Sequence, residues 1–295
     1  MVPQLLFEEE MYTFLAPFNG EKKEEFDSHF PCPTLFFSER RLLLHLISLE
    51  KAPTFSSITF AQLIDLYAAQ DIKVIHVWED VWHTKKQVVQ SRLRALLGTS
   101  QRIPARLTKV RRIDKPTMEA FIDKNHLQVS TQAKFKYGLF LPKNYQRILK
   151  EDLPATSLLA HQMETHQEAL VAVATFSGGK NIIRGGETYR SFELIRFANF
   201  LDCTVVGGVD KLLKAFVTEL QPDDLMTYAD RDWSDGKSYE QLGFERLGIT
   251  PPQTFWVNLT TWERHYYDRL PTENNTTDWV KVYNSGNWKF LKKWK

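Results

Sequence analysis

A mixed α/β fold in two units is what this sequence predicts: a small α/β unit over residues 1–113, then a mixed sheet flanked by helices over 114–295. Three observations lead there. Strand-like runs rich in Val, Ile, Leu and Phe alternate with segments whose apolar residues recur at helical spacing. The stretch 192–244 orders itself as apolar strand, Gly-Gly turn, amphipathic helix, second apolar strand, polar turn and short helix, the order of a parallel strand–helix–strand unit. The 295 residues, 43% of them hydrophobic, suffice for one large or two modest cores.

In the first unit, Phe7, Met11, Phe14 and Leu15 share one helical face within an acidic stretch carrying Glu8, Glu9, Glu10, Glu21, Glu24, Glu25 and Asp27. Thr34–Phe37 and Arg41–Ile47 read as strands around a turn at Ser38-Glu39. Thr59–Ala69 reads as a helix through Phe60, Leu63, Ile64 and Tyr67, and Ile72–Trp78 as a buried β-branched strand. Thr84 stands where it would cap a helix whose stripe is Val88, Val89, Leu93, Leu96 and Leu97, stopped by Gly98. The strand-like RIPARLTKVRRI closes the unit. In the second unit, Pro116–Asn125 suits a helix, Lys136–Leu141 and Ala169–Phe176 suit strands, and Ser157–His166 is helical. Ser177–Glu187 is glycine-rich and basic, a hairpin tip or loop. A strand at Thr254–Leu259 and an aromatic, basic tail from Val280 to Lys295 follow the central stretch.

Composition excludes several classes. Cys32 and Cys203 make neither a zinc pattern nor a disulfide framework. The N-terminus has no basic region ahead of an apolar core, and no window approaches a membrane span, so a cytoplasmic protein is expected. A formal net charge of +2 hides an asymmetry: Lys85 to Lys115 carries ten basic residues and one acid, Asp114. Lys85, Lys86, Arg92, Arg106, Lys109, Arg111 and Arg112 are therefore candidates for contact with DNA or RNA phosphates. The tail NWKFLKKWK suits either base stacking plus phosphate contact or a packed terminal strand. His76, inside an apolar strand, reads as a core residue, and the histidine spacings give no metal site.

The chemistry concentrates at Val205, Val206, Gly207, Gly208, Val209, Asp210 and Lys211. A strand entering a glycine turn at a helix N-terminus gathers free backbone N–H groups at the positive end of the helix dipole, which suits an anion. FELIRFAN, TVVGGVDKLLKAFV and DLMTYADRDWSDGKSYEQLGF resemble the GNAT (Gcn5-related N-acetyltransferase) superfamily over about residues 115–257. The resemblance implies acyl transfer from acetyl-CoA or another acyl-CoA to an amine without a metal, with the diphosphate held on the turn at Val205–Lys211. It assigns Tyr239 the proton for the departing CoA thiolate. The family's general base varies; Glu193, which opens the central strand, is the nearest candidate. The chain departs from the family's Arg/Gln-x-x-Gly-x-Gly/Ala pattern: Thr204 takes the Arg/Gln position, Gly207 matches the first Gly, Gly208 is one place early, and Val209 sits at the second small position. Asp232 and Gly236 stand where Asn and Ala are usual.

A second resemblance runs through most of the chain. IKVIHVWEDVWHTKKQVVQSRLRALLG, IPARL, FIDKNHLQ, LVAVATFSGG, YADRDWSDGKSYEQLGF and SGNWKF, in that order, are similar to phage-borne homing-endonuclease-like proteins, in which a nuclease unit precedes a GNAT-like one. The nuclease half is degenerate: Asp27 suits the first acid, Thr34–Phe37 offers neither second acid nor lysine, Glu39 lies in the turn, and Glu79 and Asp80 stand elsewhere. This resemblance implies a rival function, a DNA-binding protein in which the GNAT shape is a non-catalytic scaffold.

Overall fold

The computed structural model describes residues 4–22, 30–150, 154–266 and 278–295. The fold is mixed α/β, with sheets flanked by helices. Two compact units emerge: residues 1–86, 229–238 and 247–289 form one, and residues 87–228, 239–246 and 290–295 form the other. Neither is a single stretch of sequence.

The first unit begins with helix α1 (Gln4–Leu15), whose Phe7, Met11 and Leu15 are buried as their spacing requires. Strands β1 (Glu21–Lys22), β2 (Thr34–Phe37), β3 (Leu42–Ile47) and β4 (Lys73–Trp78) pair in that order, β3 with β4 in parallel across helix α2 (Thr59–Ala68). Helix α3 (Glu79–Leu96) starts five residues before the cap expected at Thr84. Glu79 and Asp80 supply the acidic first turn, and the Thr84 hydroxyl donates back to the Asp80 carbonyl (2.7 Å) instead of capping. Lys85 (φ −135°, ψ 32°) is non-helical, so the run is two helical segments meeting at a kink, the second beginning beside Thr84. Later in the chain β14 (Thr254–Asn258), β15 (Arg264–Tyr266) and β16 (Trp279–Tyr283) form a three-stranded sheet, in the order β15-β14-β16. Phe255, Val257, Val280 and Val282 from it join Leu43, Ile47, Phe60 and Trp78 in one core. The Arg264 guanidinium clasps the Asp80 carboxylate through two 2.8 Å bonds, tying that sheet to the start of α3.

The second unit is built on an eight-stranded sheet. The expected RIPARLTKVRRI strand is two, β5 (Gln101–Pro104) and β6 (Lys109–Arg112), parted by a 3-10 turn at Ala105–Leu107. Asp114 caps helix α4 (Lys115–Asn125) by accepting from the Thr117 amide (2.9 Å). Strand β7 (Phe135–Pro142), helix α5 (Pro154–His166) and β8 (Glu168–Phe176) follow. The glycine-rich segment is a hairpin between β9 (Lys180–Arg184) and β10 (Glu187–Asn199), turning on Gly185 and Gly186, both at positive φ. Then come β11 (Cys203–Val206), helix α6 (Gly208–Leu220), β12 (Asp224–Asp230), helix α7 (Lys237–Gln241), β13 (Glu245–Ile249) and β17 (Asn287–Lys293). The sheet order is β13-β17-β12-β10-β8-β7-β6, with β9 on β10, while β11 pairs separately with β5. The aromatic tail is thus a sheet strand, with Phe290 wholly buried against Tyr239 (centroids 5.4 Å).

Helix α6 covers this sheet because Leu212, Leu213 and Phe216 fall on one side of it. The Phe216 ring stacks on Phe176 (4.0 Å) and meets Phe192 edge-on (5.3 Å). A fully buried Phe contributes about 1.5–3 kcal/mol, so this side chain alone goes far toward fixing the helix on the sheet.

Back in the first unit, the core holds polar groups that the apolar pattern of its strands conceals. His76 is fully buried, as its strand position implies, with its amide on the Asp232 carbonyl (3.1 Å) and its Nδ1 3.6 Å from the Asp232 carboxyl. The Ser285 amide donates to that carboxyl (3.0 Å), and the Ser285 hydroxyl does so too. Burial, then the neighbouring Asp230, pushes the Asp232 carboxyl up to about 7. Its stabilisation is therefore present at low pH and lost as pH rises through that value. His45 stacks between Phe30 (4.1 Å) and His76 (5.2 Å), and among the described residues neither of its ring nitrogens has a hydrogen-bond partner.

Burial pulls His45 down to about 3, below the ordinary value of 6.5. The unfolded chain then protonates first, so the stability held above pH 6.5 drains as pH falls toward 3, by roughly 2 kcal/mol at pH 5. Urea unfolding at pH 7 and pH 5 should show the wild type losing about that much more than His45→Phe. An equal loss in both proteins would place the acid sensitivity elsewhere.

Candidate functional site

The glycine turn is where β11 becomes α6. Gly207 sits at φ 77°, ψ 11°, in the left-handed region that glycine enters without a Cβ penalty, and it is the N-cap of the helix. Its carbonyl accepts from the Lys211 amide (3.0 Å), while the amides of Gly208, Val209 and Asp210 precede the first helical acceptor and have no acceptor among the described residues. Gly208 is tightly enclosed: a Cβ there would lie 3.1 Å from Val205.

Parallel pairing of β11 with β5 sets Arg102 across from Thr204 and Pro104 across from Val206. Thr204 is occupied locally, its hydroxyl 2.8 Å from that of Ser100. The Ala105–Leu107 turn then brings Ala105 beside Gly207. An open cavity of about 650 Å³ results, lined by Arg102, Pro104, Ala105, Arg106, Val206, Gly207, Asp210, Lys211 and Lys214. Four cations and one carboxylate therefore surround the positive end of a 13-residue helix.

Of the seven residues expected on the turn, Val206, Gly207, Asp210 and Lys211 line this cavity. Val205 does not: its side chain is buried and its amide is taken by the Asn199 side chain (3.2 Å), so it has no donor to offer. Gly208 and Val209 are not part of the lining. Lys211 spends its ammonium on the carbonyls of Ala105 (2.9 Å) and Thr108, bracketing the turn that carries Arg106, and its partial burial lowers its pKa. Asp210 pairs with Lys214 one turn along (2.7 Å).

The central strands part at the same end of the sheet. β10 and β12 run parallel and are paired from Ser191–Asp224 to Leu194–Thr227, yet β10 continues to Asn199, held by β8 across a bulge between Leu194 and Arg196. Both strands point toward this opening, and α6 begins at the end that β10 leaves. The carboxyl ends of parallel strands are where open α/β sheets bind ligands.

Tyr239 stands at the point of parting. Its hydroxyl lies toward the Thr227 side chain, and the Thr227 hydroxyl donates to the Leu194 carbonyl (3.0 Å). Burial raises the Tyr239 pKa against the lowering effects of Thr227 and Arg92, so it keeps its proton at neutral pH. Phe192 faces α6, so alternation puts Leu194 and Thr227 on that face and Glu193, beside Met226, on the other. Glu193 is half-buried, with burial raising its pKa and Arg196 and Lys180 opposing. It also helps raise the pKa of Tyr228. The two residues expected to act on protons thus address the opening from opposite faces.

The basic block divides between the two units. Lys86 binds Glu10 (2.9 Å) in the first unit, whereas Arg111 binds Glu168 and Arg112 binds Glu219 in the second. Arg92 lies toward Tyr239, Lys85 is the helix kink, and Lys109 is exposed on β6. Arg106 lines the cavity together with Arg102, which reading the sequence had not singled out. Asp27 of the nuclease reading lies outside the described residues. Glu79 accepts the Leu49 amide (2.7 Å) and Asp80 is held by Arg264. Among the described residues no three His, Cys, Asp or Glu side chains could hold a metal ion, and no helix is long and apolar enough to cross a membrane.

No protein-family model matches the chain, and no curated protein does. Solved structures similar to it include the ribosomal-protein-S18-alanine N-acetyltransferase of Escherichia coli, 12% identical, with a TM-score of 0.33 over 63% of this chain and 93% of that one. A Bacillus subtilis acetyltransferase in complex with CoA is 9% identical, with a TM-score of 0.33 over 64% and 99%. The KacTA–DNA complex is 18% identical, with a TM-score of 0.29 over 48% and 86%. These values assign the chain no activity, and nothing in them supports the whole-chain likeness to homing-endonuclease-like proteins.

The Lys211 bracket is directly testable. Lys211→Met leaves two carbonyls without their donor and should lower stability by about 1–3 kcal/mol in urea unfolding. An unshifted midpoint would mean that the turn is held by other contacts.

Proposed function

We propose that the second unit transfers an acyl group from an acyl-CoA to an amine. The observation that carries this reading is the coincidence, at one end of the sheet, of three features: parted parallel strands, an acceptor-free set of helix amides beside a cationic cavity, and a protonated tyrosine. The amides of Gly208, Val209 and Asp210, with the cations around them, suit the donor's diphosphate. The side of β10 that parts from β12 beyond Leu194 suits the amide-bearing pantetheine arm, because strand edges need hydrogen-bond partners. That arrangement delivers the thioester to the parting of the strands, next to Tyr239.

A neutral amine then attacks the thioester carbonyl, the C–S bond breaks, and the Tyr239 hydroxyl donates its proton to the leaving thiolate. Glu193, on the opposite face, is placed to take the proton that the amine loses. Donor and acceptor would enter from the two sides of the sheet and meet between β10 and β12. Support for the DNA-binding alternative is weaker, because carboxylates already engage Lys86, Arg111 and Arg112.

Calorimetric titration with acetyl-CoA tests the reading: saturable binding is expected, and its absence at millimolar ligand would end it. In steady-state assays Tyr239→Phe should cut turnover on the order of 10²-fold with little change in donor affinity. Equal turnover would take Tyr239 out of the mechanism.

A further inference from the structure

We infer that Arg102 and Arg106 form a second phosphate subsite, which reads the 3′-phosphate on the ribose of the donor. The inference rests on the acyl-CoA reading and starts from the charges around the cavity. The helix amides and dipole provide for one diphosphate. Lys211 is committed to the Ala105 and Thr108 carbonyls, and Lys214 to Asp210. Arg102 and Arg106 are both exposed, and among the described residues neither guanidinium has a hydrogen bond, ion pair or ring contact.

Two uncommitted guanidiniums, four positions apart on the strand and turn that face α6, exceed what a diphosphate requires. Guanidinium binds phosphate through two parallel N–H···O bonds, a geometry that lysine lacks. Pro104, Ala105 and Val206 add an apolar wall between the cationic groups, and a cavity of about 650 Å³ is of the size that small-ligand sites have. A nucleotide with phosphates at both ends of its ribose matches this layout. A phosphopantetheine carried on a protein, with its single phosphate, leaves both arginines unused. Lys211 acts here as a positioning residue, since it holds the turn on which Arg106 stands.

Calorimetry on the full chain with CoA and with 3′-dephospho-CoA decides the matter. Loss of the 3′-phosphate should weaken binding by on the order of 10- to 100-fold, the range of one or two charge-assisted hydrogen bonds. The Arg102→Gln, Arg106→Gln double variant should bind the two ligands within about twofold of each other. Equal affinity for both ligands in the wild type overturns the inference and leaves the acyl-CoA reading standing; that comparison requires no variant to fold. A gap that persists in the double variant also overturns it, by placing the 3′-phosphate elsewhere. If CoA itself fails to bind, the acyl-CoA reading falls and the subsite falls with it.

Discussion

The seating of α6 on the sheet is the constraint from which the site follows. Phe216, stacked on Phe176 and edge-on to Phe192, leaves the helix little freedom to slide or roll. Its first turn must then lie where β10 leaves the paired part of the sheet. The positive end of the helix and the break in β10–β12 pairing are thus consequences of one packing choice. Gly207 is the backbone condition for it: the chain has to reverse from β11 into the helix within one residue, at a φ that side chains resist.

Much of this was legible in the residues themselves. The β10-to-β12 unit announces itself because Phe192 and Leu194, then Leu212, Leu213 and Phe216, then Leu225 carry the strand and helix periods in succession, with two glycines between. The failures have physical reasons. Parallel pairing of β5 with β11 joins residues about a hundred positions apart and leaves no local pattern, so Arg102 could not be tied to Gly207, and Arg106 read as one of a run of surface charges. Val205 looked like a member of the turn, but a side chain already within reach, that of Asn199, had taken its amide. The Thr84 signal marks the kink where a second helical segment begins, behind a first turn that opens at Glu79 and Asp80.

The first unit shows a different use of polar residues. Asp232, His76 and Ser285 are drawn from three separate stretches of chain, and all are buried. A buried carboxyl left without partners costs several kcal/mol, so any packing that separates the three is penalised far more than a mispaired apolar contact would be. The network therefore favours one way of joining those stretches. The same logic applies to Arg264 on Asp80, where two parallel bonds leave only one good geometry.

Asp210 is the one residue at the cavity whose sign opposes an anion, and its position explains why it is tolerated. In the first turn of α6 a carboxylate complements the exposed amides and the helix dipole, worth about 0.3–1 kcal/mol at a surface. It also tethers Lys214, which would otherwise add to the repulsion among Arg102, Arg106 and Lys211. An arriving diphosphate replaces that carboxylate as the partner of the helix end. The ammonium of Lys214 stays with Asp210, and the pair can lean toward solvent at little cost because Asp210 is only partly buried. The net charge of the lining stays positive throughout, so a ligand rich in negative charge remains favoured even while one carboxylate stands at the door.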